Sequence, residues 1–546
     1  MKRIALLLCS ICIVCTLCTF NSLAYENAVD IVLSDDRITV NGSAISTDTA
    51  SDVYAANDIV YYEAGKDFIY GEGGVGDAHE PAEAAAHTVV HITKPGTYRI
   101  EGKLSRGQIA VDLGDDAKDN PDAVVTLILN GMDITCEVAP AVIFYNVYEC
   151  GSDDADTASK DVDTSSAGAN IVIADDTVNT VKGSYVARIY KPETVVLNAD
   201  GTAVEDAKKL HKYDAAFYSK MSMNVSGESN GSGKLLIRAD NEGLDSELHL
   251  TINGGIIDIT SGNDGINTNE DGISVTTIGG GELTIYVTGE TGEGDGIDSN
   301  GWLVINGGIV RAYACAWSGD AGIDSDMGIH INGGTVLATG NMLDRIAGTQ
   351  QNCAIFHFKN AQTAEAEIEL KASDTSALHT RLRNPCSVLI FSSPDLREGN
   401  YELYVNGIPY GATQGGGMGN MEVPPGGAMP EGQEPPAMPE GERPPAMPEG
   451  GAQPPMGGDR PGARPNGQMP SDSALSKEFA IKAGVNTFYA VGEYAPGDDT
   501  DGGHVDGEHA DGGNNHGIVW IVVGVVIAGL VIYGVIVTAK LFKKKN

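Results

Sequence analysis

The sequence predicts an all-β protein whose body is a parallel β-helix, a solenoid of short strands wound into stacked coils. Three observations carry this. A four-fold repeat runs from Asn241 to Gly340, each copy holds short β-rich runs bounded by Gly and Asn, and no helical period separates those runs. The first half of each copy reads Asn-Glu-Gly-Leu-Asp-Ser (241–246), Asn-Asp-Gly-Ile-Asn-Thr (263–268), Gly-Asp-Gly-Ile-Asp-Ser (294–299) and Asp-Ala-Gly-Ile-Asp-Ser (320–325). The second half reads Ile-Asn-Gly-Gly at 252–255, 305–308 and 331–334, and Ile-Gly-Gly-Gly at 278–281. The steps between the leading isoleucines Ile252, Ile278, Ile305 and Ile331 are 26, 27 and 26 residues. A steady period of this size belongs to stacked repeats. Two or three short strands fill one coil of that length, whereas a leucine-rich repeat needs a Leu and Asn framework that these copies lack.

The strands follow from residue type. Ile256-Ile257-Asp258-Ile259, Glu282-Leu283-Thr284-Ile285, Ile309-Val310-Arg311 and Thr335-Val336-Leu337 follow the Gly-Gly pairs. Leu248 to Ile252 and Leu303 to Ile305 precede them. These runs are β-branched or alternating, and Asn and Gly at the joints accept the positive φ of a sharp bend.

Stacking in register sets equivalent residues about 4.8 Å apart. Asp245, Asn267, Asp298 and Asp324 are therefore expected to form one ladder on a face of the coil. Glu242, Asp264 and Asp295 form a second beside it, with Asp320 near that position in the last copy, where Ala321 stands in place of an acidic residue. Stacked carboxylates repel, so such a ladder calls for a hard divalent cation with oxygen ligands, Ca²⁺ first among them. The alternative is that these side chains cap turns by accepting backbone N–H groups.

The rest of the chain falls into order around this centre. Residues 1–24 read as a secretory signal peptide: Lys2 and Arg3, an apolar run, then Ser22-Leu23-Ala24. Residues 25–86 form an N-terminal β-rich segment, with a hairpin from Ile31-Val32-Leu33 to Ile38-Thr39-Val40 and a further strand at Ile59 to Tyr62. The β-helix domain is expected over 87–410, and the acidic stretch Ser152 to Ser166 is a surface loop. Residues 411–471, rich in Pro, Gly and Met, cannot bury a core and read as a disordered insert. Residues 472–495 carry strands that close the last coil, and 496–517 form an acidic Gly/His-rich stalk. The uncharged run 518–538 is long enough to span a bilayer as a single C-terminal transmembrane helix. The lysines of 539–546 then place the C-terminus in the cytoplasm and the β-domain outside the cell membrane.

Composition narrows the function. With 75 acidic against 35 basic residues and a net charge of −40, nucleic acid is excluded as a partner. Of the cysteines past the leader, Cys136, Cys150, Cys315, Cys353 and Cys386, none has the paired spacing of a zinc site. Cys136 and Cys150 are close enough in sequence for a bridge, and isolated buried thiols are the other reading.

The strings Lys94-Pro95-Gly96-Thr97-Tyr98-Arg99-Ile100-Glu101-Gly102, Leu104 to Ile109, Leu127 to Thr135 and the four repeat pairs resemble one family. It is the bacterial carbohydrate-binding β-helix proteins, with a cellulose- and pectin-binding member in a cellulolytic clostridium. The resemblance spans His87 to Gly407 and the strands at 479–491. It implies a right-handed parallel β-helix similar to pectate lyases, bound Ca²⁺, and polysaccharide binding with no established catalysis. The leading expectation is thus a cell-surface, calcium-dependent binder of acidic, pectin-like or cellulosic polysaccharide. Calcium on the ladder would bridge to uronate carboxylates, with Trp302, Tyr313, Trp317 and Arg311 as sugar-contacting candidates. A pectate-type lyase using Arg311 or Arg238 as base is the alternative, and a structural adhesin or spacer the third reading.

Overall fold

The computed structural model describes residues 27–414 and 475–494. The stretches read as signal peptide (1–24), stalk (496–517), transmembrane span (518–538) and basic tail (539–546), and most of the Pro-rich segment, lie outside the described residues. Among those described, no helix is long and apolar enough to cross a membrane.

The coil has three faces. On the first, Thr88–Ile92, Gly107–Asp112, Val142–Asn146, Ala215–Ser219, Glu242–Ser246 and Ile266–Thr268 stack in parallel. Single bridges carry that stack on through Ile297 and Ile323. The second face stacks Ala169–Ile173, Met223–Gly227, His249–Ile252, Val275–Ile278, Trp302–Ile305 and Gly328–Ile331. The third stacks Val178–Gly183, Lys234–Ala239, Ile256–Ser261, Glu282–Val287, Ile309–Tyr313 and Thr335–Gly340. The long strands Gly96–Leu104 and Val125–Thr135 contribute to both the second and third faces in the early coils.

Register follows the sequence repeat. Ile252, Ile278, Ile305 and Ile331 are cross-strand partners pointing into the coil, each at most 1% exposed. On the first face Leu244, Ile266, Ile297 and Ile323 form a second inward stack, all fully buried. Each coil thus adds an apolar layer to one continuous core. The Gly-Gly corner between the second and third faces explains itself at its second glycine. Gly255, Gly281, Gly308 and Gly334 all have φ between 78° and 86°. A Cβ on Gly281 would stand 2.7 Å from the Gly255 carbonyl oxygen of the coil below, so both backbone sign and space require glycine.

Three features depart from the sequence expectation. The hairpin of the N-terminal segment is present, Val29–Leu33 pairing antiparallel with Thr39–Val40. The next strand, however, is Val53–Ala56, antiparallel to Thr88–Ile92, and Ile59 to Tyr62 is irregular. Second, the parallel coil ends near Thr349, not at 410. From Cys353–Gln362 onward the strands pair mostly antiparallel, and Cys386–Ser392 lies antiparallel on Thr335–Gly340 of the last coil. The strands Glu478–Ile481 and Val485–Glu493 belong to this antiparallel unit. It has its own core, with the rings of Phe356, Phe479 and Phe488 in contact. Strand Ile408–Gln414 also runs four residues past the expected domain end at 410. Third, residues 186–213 form an arm off the coil, in which Val186–Tyr190 pairs antiparallel with Lys209–Tyr213. The arm re-enters the first face through Asp214.

The five cysteines Cys136, Cys150, Cys315, Cys353 and Cys386 are free thiols, all but Cys150 buried. No bridge joins Cys136 to Cys150.

Candidate metal centre on the first face

Glu242–Ser246 lies directly over Ala215–Ser219, pairing Asp245 with Tyr218, and Ile266–Thr268 follows with Asn267 on Asp245. The Asp298 N–H donates to the Ile266 carbonyl at 2.8 Å, and the Asp324 N–H to the Ile297 carbonyl at 2.7 Å. Asp245, Asn267, Asp298 and Asp324 therefore occupy one column, each one residue past an inward apolar side chain. Strand alternation aims them out of the coil, yet all four are buried.

The second column is held by glycine carbonyl and amide pairing. The N–H of Gly243 donates to the backbone carbonyl of Asp264, that of Gly265 to the carbonyl of Asp295 and that of Gly296 to the carbonyl of Ala321. Glu242, Asp264, Asp295 and Ala321 are thus equivalent. Asp320, expected near this column, sits one residue earlier. It accepts the Gly294 N–H at 2.6 Å and the Ser318 hydroxyl, a turn-capping role. Ala321 instead offers its N–H to Asp295 Oδ1 at 2.6 Å.

The columns resolve into two acidic clusters. Asp214, Glu242 and Asp245 each offer a carboxylate oxygen within 4.8 Å of the others, and so do Asp295, Asp298 and Asp324; all six are buried. Asp264 lies between them, accepting the Asp295 N–H at 2.6 Å and acting on both Glu242 and Asp295. Burial, then the Asp245 and Asp214 charges, holds the Glu242 carboxyl well above the usual carboxylate range. Burial, then Glu247, does the same to Asp245. For Asp295 the causes are burial followed by Asp264, Asp324 and Asp298.

In the first cluster two oxygens have no partner. Asn267 donates its Nδ2 to Glu242 Oε1 at 3.2 Å, while Glu242 Oε2 and Asn267 Oδ1 accept nothing. Glu242 is 5% and Asn267 8% exposed, so both oxygens are dry acceptors at a cost that a bound cation would remove. The donors are carboxylate and amide oxygens, with no imidazole or thiolate among them. That set suits a hard cation such as Ca²⁺ and disfavours zinc.

Sequence reasoning did not assign Asp214 to the site. Its signal was available: Asp214-Ala215-Ala216-Phe217-Tyr218-Ser219 aligns with Asn241 to Ser246, with Tyr218 in place of the ladder aspartate. The shared Ser or Thr at the end of each copy marks the register. Ser219, Ser246, Thr268, Ser299 and Ser325 are all buried, and Thr268 Oγ1 meets Ser299 Oγ at 2.8 Å.

The sugar-contact candidates do not converge. Trp302 opens a strand of the second face and is half-buried. Arg311 lies on the third face, its Nη1 2.6 Å from Glu282 Oε1. Tyr313 is 3% exposed and packs into the core of the antiparallel unit. Trp317, 72% exposed, stands on the loop before Asp320. Beside the first cluster lies a polar cleft of about 290 Å³ lined by Lys118, Lys220, Glu149, Glu247 and Glu270 among others.

A family model described as carbohydrate-binding domain-containing protein matches residues 86–382, over half of the chain. The chain belongs to that carbohydrate-binding family. The match bears out the resemblance read from the strings at 94–135 and from the four repeats. Among solved structures, a gadolinium derivative of a polysaccharide lyase-like protein from C. thermocellum is similar at 18% identity and a TM-score of 0.32. The alignment covers 59% of this chain and 93% of that one. No curated protein matches the chain.

Proposed function

We propose that this carbohydrate-binding protein holds acidic polysaccharide in a cation-dependent manner, with Ca²⁺ seated in the acidic clusters of the first face. The observation that carries the reading is the dry, unpartnered Glu242 Oε2 in the cluster with the Asp214 and Asp245 carboxylates, together with the equally unpartnered Oδ1 of Asn267, whose Nδ2 donates to Glu242. Asp214, Glu242, Asp245 and Asn267 would hold one cation, and Asp295, Asp298 and Asp324 a second. A cation so placed supplies positive charge to a uronate carboxylate, which a surface of net charge −40 otherwise repels. This favours a pectin-like glycan over a neutral one. Asp264 links the two seats, and Trp317 offers an exposed ring for a sugar face.

The geometry supports binding over elimination. Arg311 and Arg238, the candidate bases, lie on the third face and are paired with Glu282 and Asp258, while the clusters lie on the first. On this reading residues 1–24 direct export and 518–538 anchor the β-domain at the cell surface.

The test is retention of the full ectodomain on immobilised polygalacturonate with Ca²⁺ or with chelator. Retention that needs Ca²⁺, releases no unsaturated product and is lost in Glu242→Gln is expected. Equal retention in chelator, or unsaturated product, would overturn the reading.

A further inference from the structure

The first cluster already contains a cation of its own. Lys212 Nζ lies 2.6 Å from Asp214 Oδ2. It sits on the arm strand Lys209–Tyr213, two residues before the chain re-enters the first face at Asp214. The Asp214 carboxylate it pairs with offers an oxygen within 4.8 Å of oxygens of Glu242 and Asp245, and besides burial the charges of Asp214, Glu242 and Asp245 act on the ammonium. The Lys212 side chain is 44% exposed, whereas that of Asp214 is 12% exposed. The ammonium therefore reaches into the cluster from its rim on a flexible stem and has solvent to return to.

One ammonium does not complete the cluster. It hydrogen-bonds Asp214, but Glu242 Oε2 and Asn267 Oδ1 remain without a donor. Lysine's reach and single charge satisfy one carboxylate; three carboxylates and an amide oxygen are the complement of a divalent ion. A divalent ion and the ammonium repel at contact distance, so both cannot sit among these oxygens.

We propose that Asp214, Glu242, Asp245 and Asn267 form a divalent-cation seat whose resident counter-ion is Lys212, a tethered ammonium that stabilises the empty seat and must swing out for the metal to enter. This rests on the cation-dependent reading above and deepens it. Lys212 makes this seat conditional: the metal competes with an intramolecular cation as well as with water. The seat at Asp295, Asp298 and Asp324 lies further along the coil, and after burial the charges that act on Asp295 are those of Asp264, Asp324 and Asp298. Its affinity is expected to be insensitive to Lys212.

The experiment titrates Ca²⁺ calorimetrically into the full ectodomain as wild type, Lys212→Met, Lys212→Arg and Asp298→Asn, with the melting temperature of each recorded in chelator and in Ca²⁺. Lys212→Met is expected to tighten one class of site by about tenfold or more and leave the other unchanged. It is also expected to melt lower than wild type in chelator and to recover in Ca²⁺. Lys212→Arg should stay near wild type, and Asp298→Asn should remove the class that Lys212→Met leaves alone. Unchanged or weaker Ca²⁺ affinity in Lys212→Met overturns the proposal while the cation-dependent reading stands. A Lys212→Met chain that fails to fold even in Ca²⁺ also overturns it, because the metal would then not replace the ammonium. Absence of Ca²⁺ binding by wild type overturns both.

Discussion

The two sides of the first face make opposite use of one geometry. Inside the coil, Leu244, Ile266, Ile297 and Ile323 stack in register; one residue later, on the outside, so do Asp245, Asn267, Asp298 and Asp324. Both columns are buried. Stacking apolar side chains removes surface from water at every coil, and the gain accumulates. Stacking carboxylates at the same spacing accumulates repulsion and desolvation, and raises their pKa values. Register is therefore indifferent to sign: the same repeat that builds the core also builds a demand for cations beside it.

The contrast can be broken or sharpened by measurement. The largest effect belongs to the inner column. Ile297→Ala is expected to cost about 2–5 kcal/mol of stability, equally in Ca²⁺ and in chelator; a loss that Ca²⁺ repaired would show that the two columns are not independent.

Next comes a buried histidine on the adjoining face. His249 Nδ1 accepts the Val275 N–H at 3.1 Å, and burial lowers its pKa to about 4. Its unfolded value is higher, so the unfolded chain takes up the proton first. Stability present above about pH 6.5 is lost as pH falls towards 4, by about 3 kcal/mol at most. His249→Gln should remove that slope from a melting-versus-pH series; an unchanged slope would place the acid sensitivity elsewhere. The outer carboxylates work in the other sense. The folded pKa values of Glu242, Asp245 and Asp295 are raised, so their contribution to metal-free stability is fully present below the unfolded value of about 4 and is lost as pH rises through the folded values. Lowering pH should also weaken Ca²⁺ binding.

A smaller change tests the outer column directly. Glu242→Gln takes one buried charge from the first cluster and should raise metal-free stability at pH 7 by about 1–3 kcal/mol while lowering Ca²⁺ affinity there. Destabilisation in chelator would mean that the carboxylate is already satisfied. Least of all should follow from Arg311→Ala on the third face. Its pair with Glu282 is over a third exposed, so a change under about 1 kcal/mol and unaltered glycan retention are expected. Loss of retention would restore Arg311 as a sugar contact.

Much of the site was legible because stacking converts a linear period into a column. Asp245, Asn267, Asp298 and Asp324 follow from counting alone, and so do Glu242, Asp264 and Asp295. Asp320 lies beside the column, as expected, since the Gly296 N–H pairs with the Ala321 carbonyl and puts Ala321 in the column itself. Asp214 was hidden because the ladder position of its copy is Tyr218, and because the arm at 186–213 interrupts the period just before it. The aromatic candidates do not share one surface, for a different reason. Closeness in sequence to a repeat does not choose a face, and Trp302, Tyr313 and Trp317 went to three separate surroundings. The antiparallel unit after Cys353 was illegible as such, because a β-branched run reads alike whichever way its partner points.

By itself the sequence determined the coil, its rise of one layer per repeat, its glycine corners and the columns of acid and isoleucine, since each is a local period that stacking preserves. Only the tertiary structure decided where the coil stops, that the acidic columns divide into two clusters, and that Lys212, at the end of the arm, is laid against one of them. Those outcomes depend on how an irregular segment joins the stack, and no periodicity records such a joint.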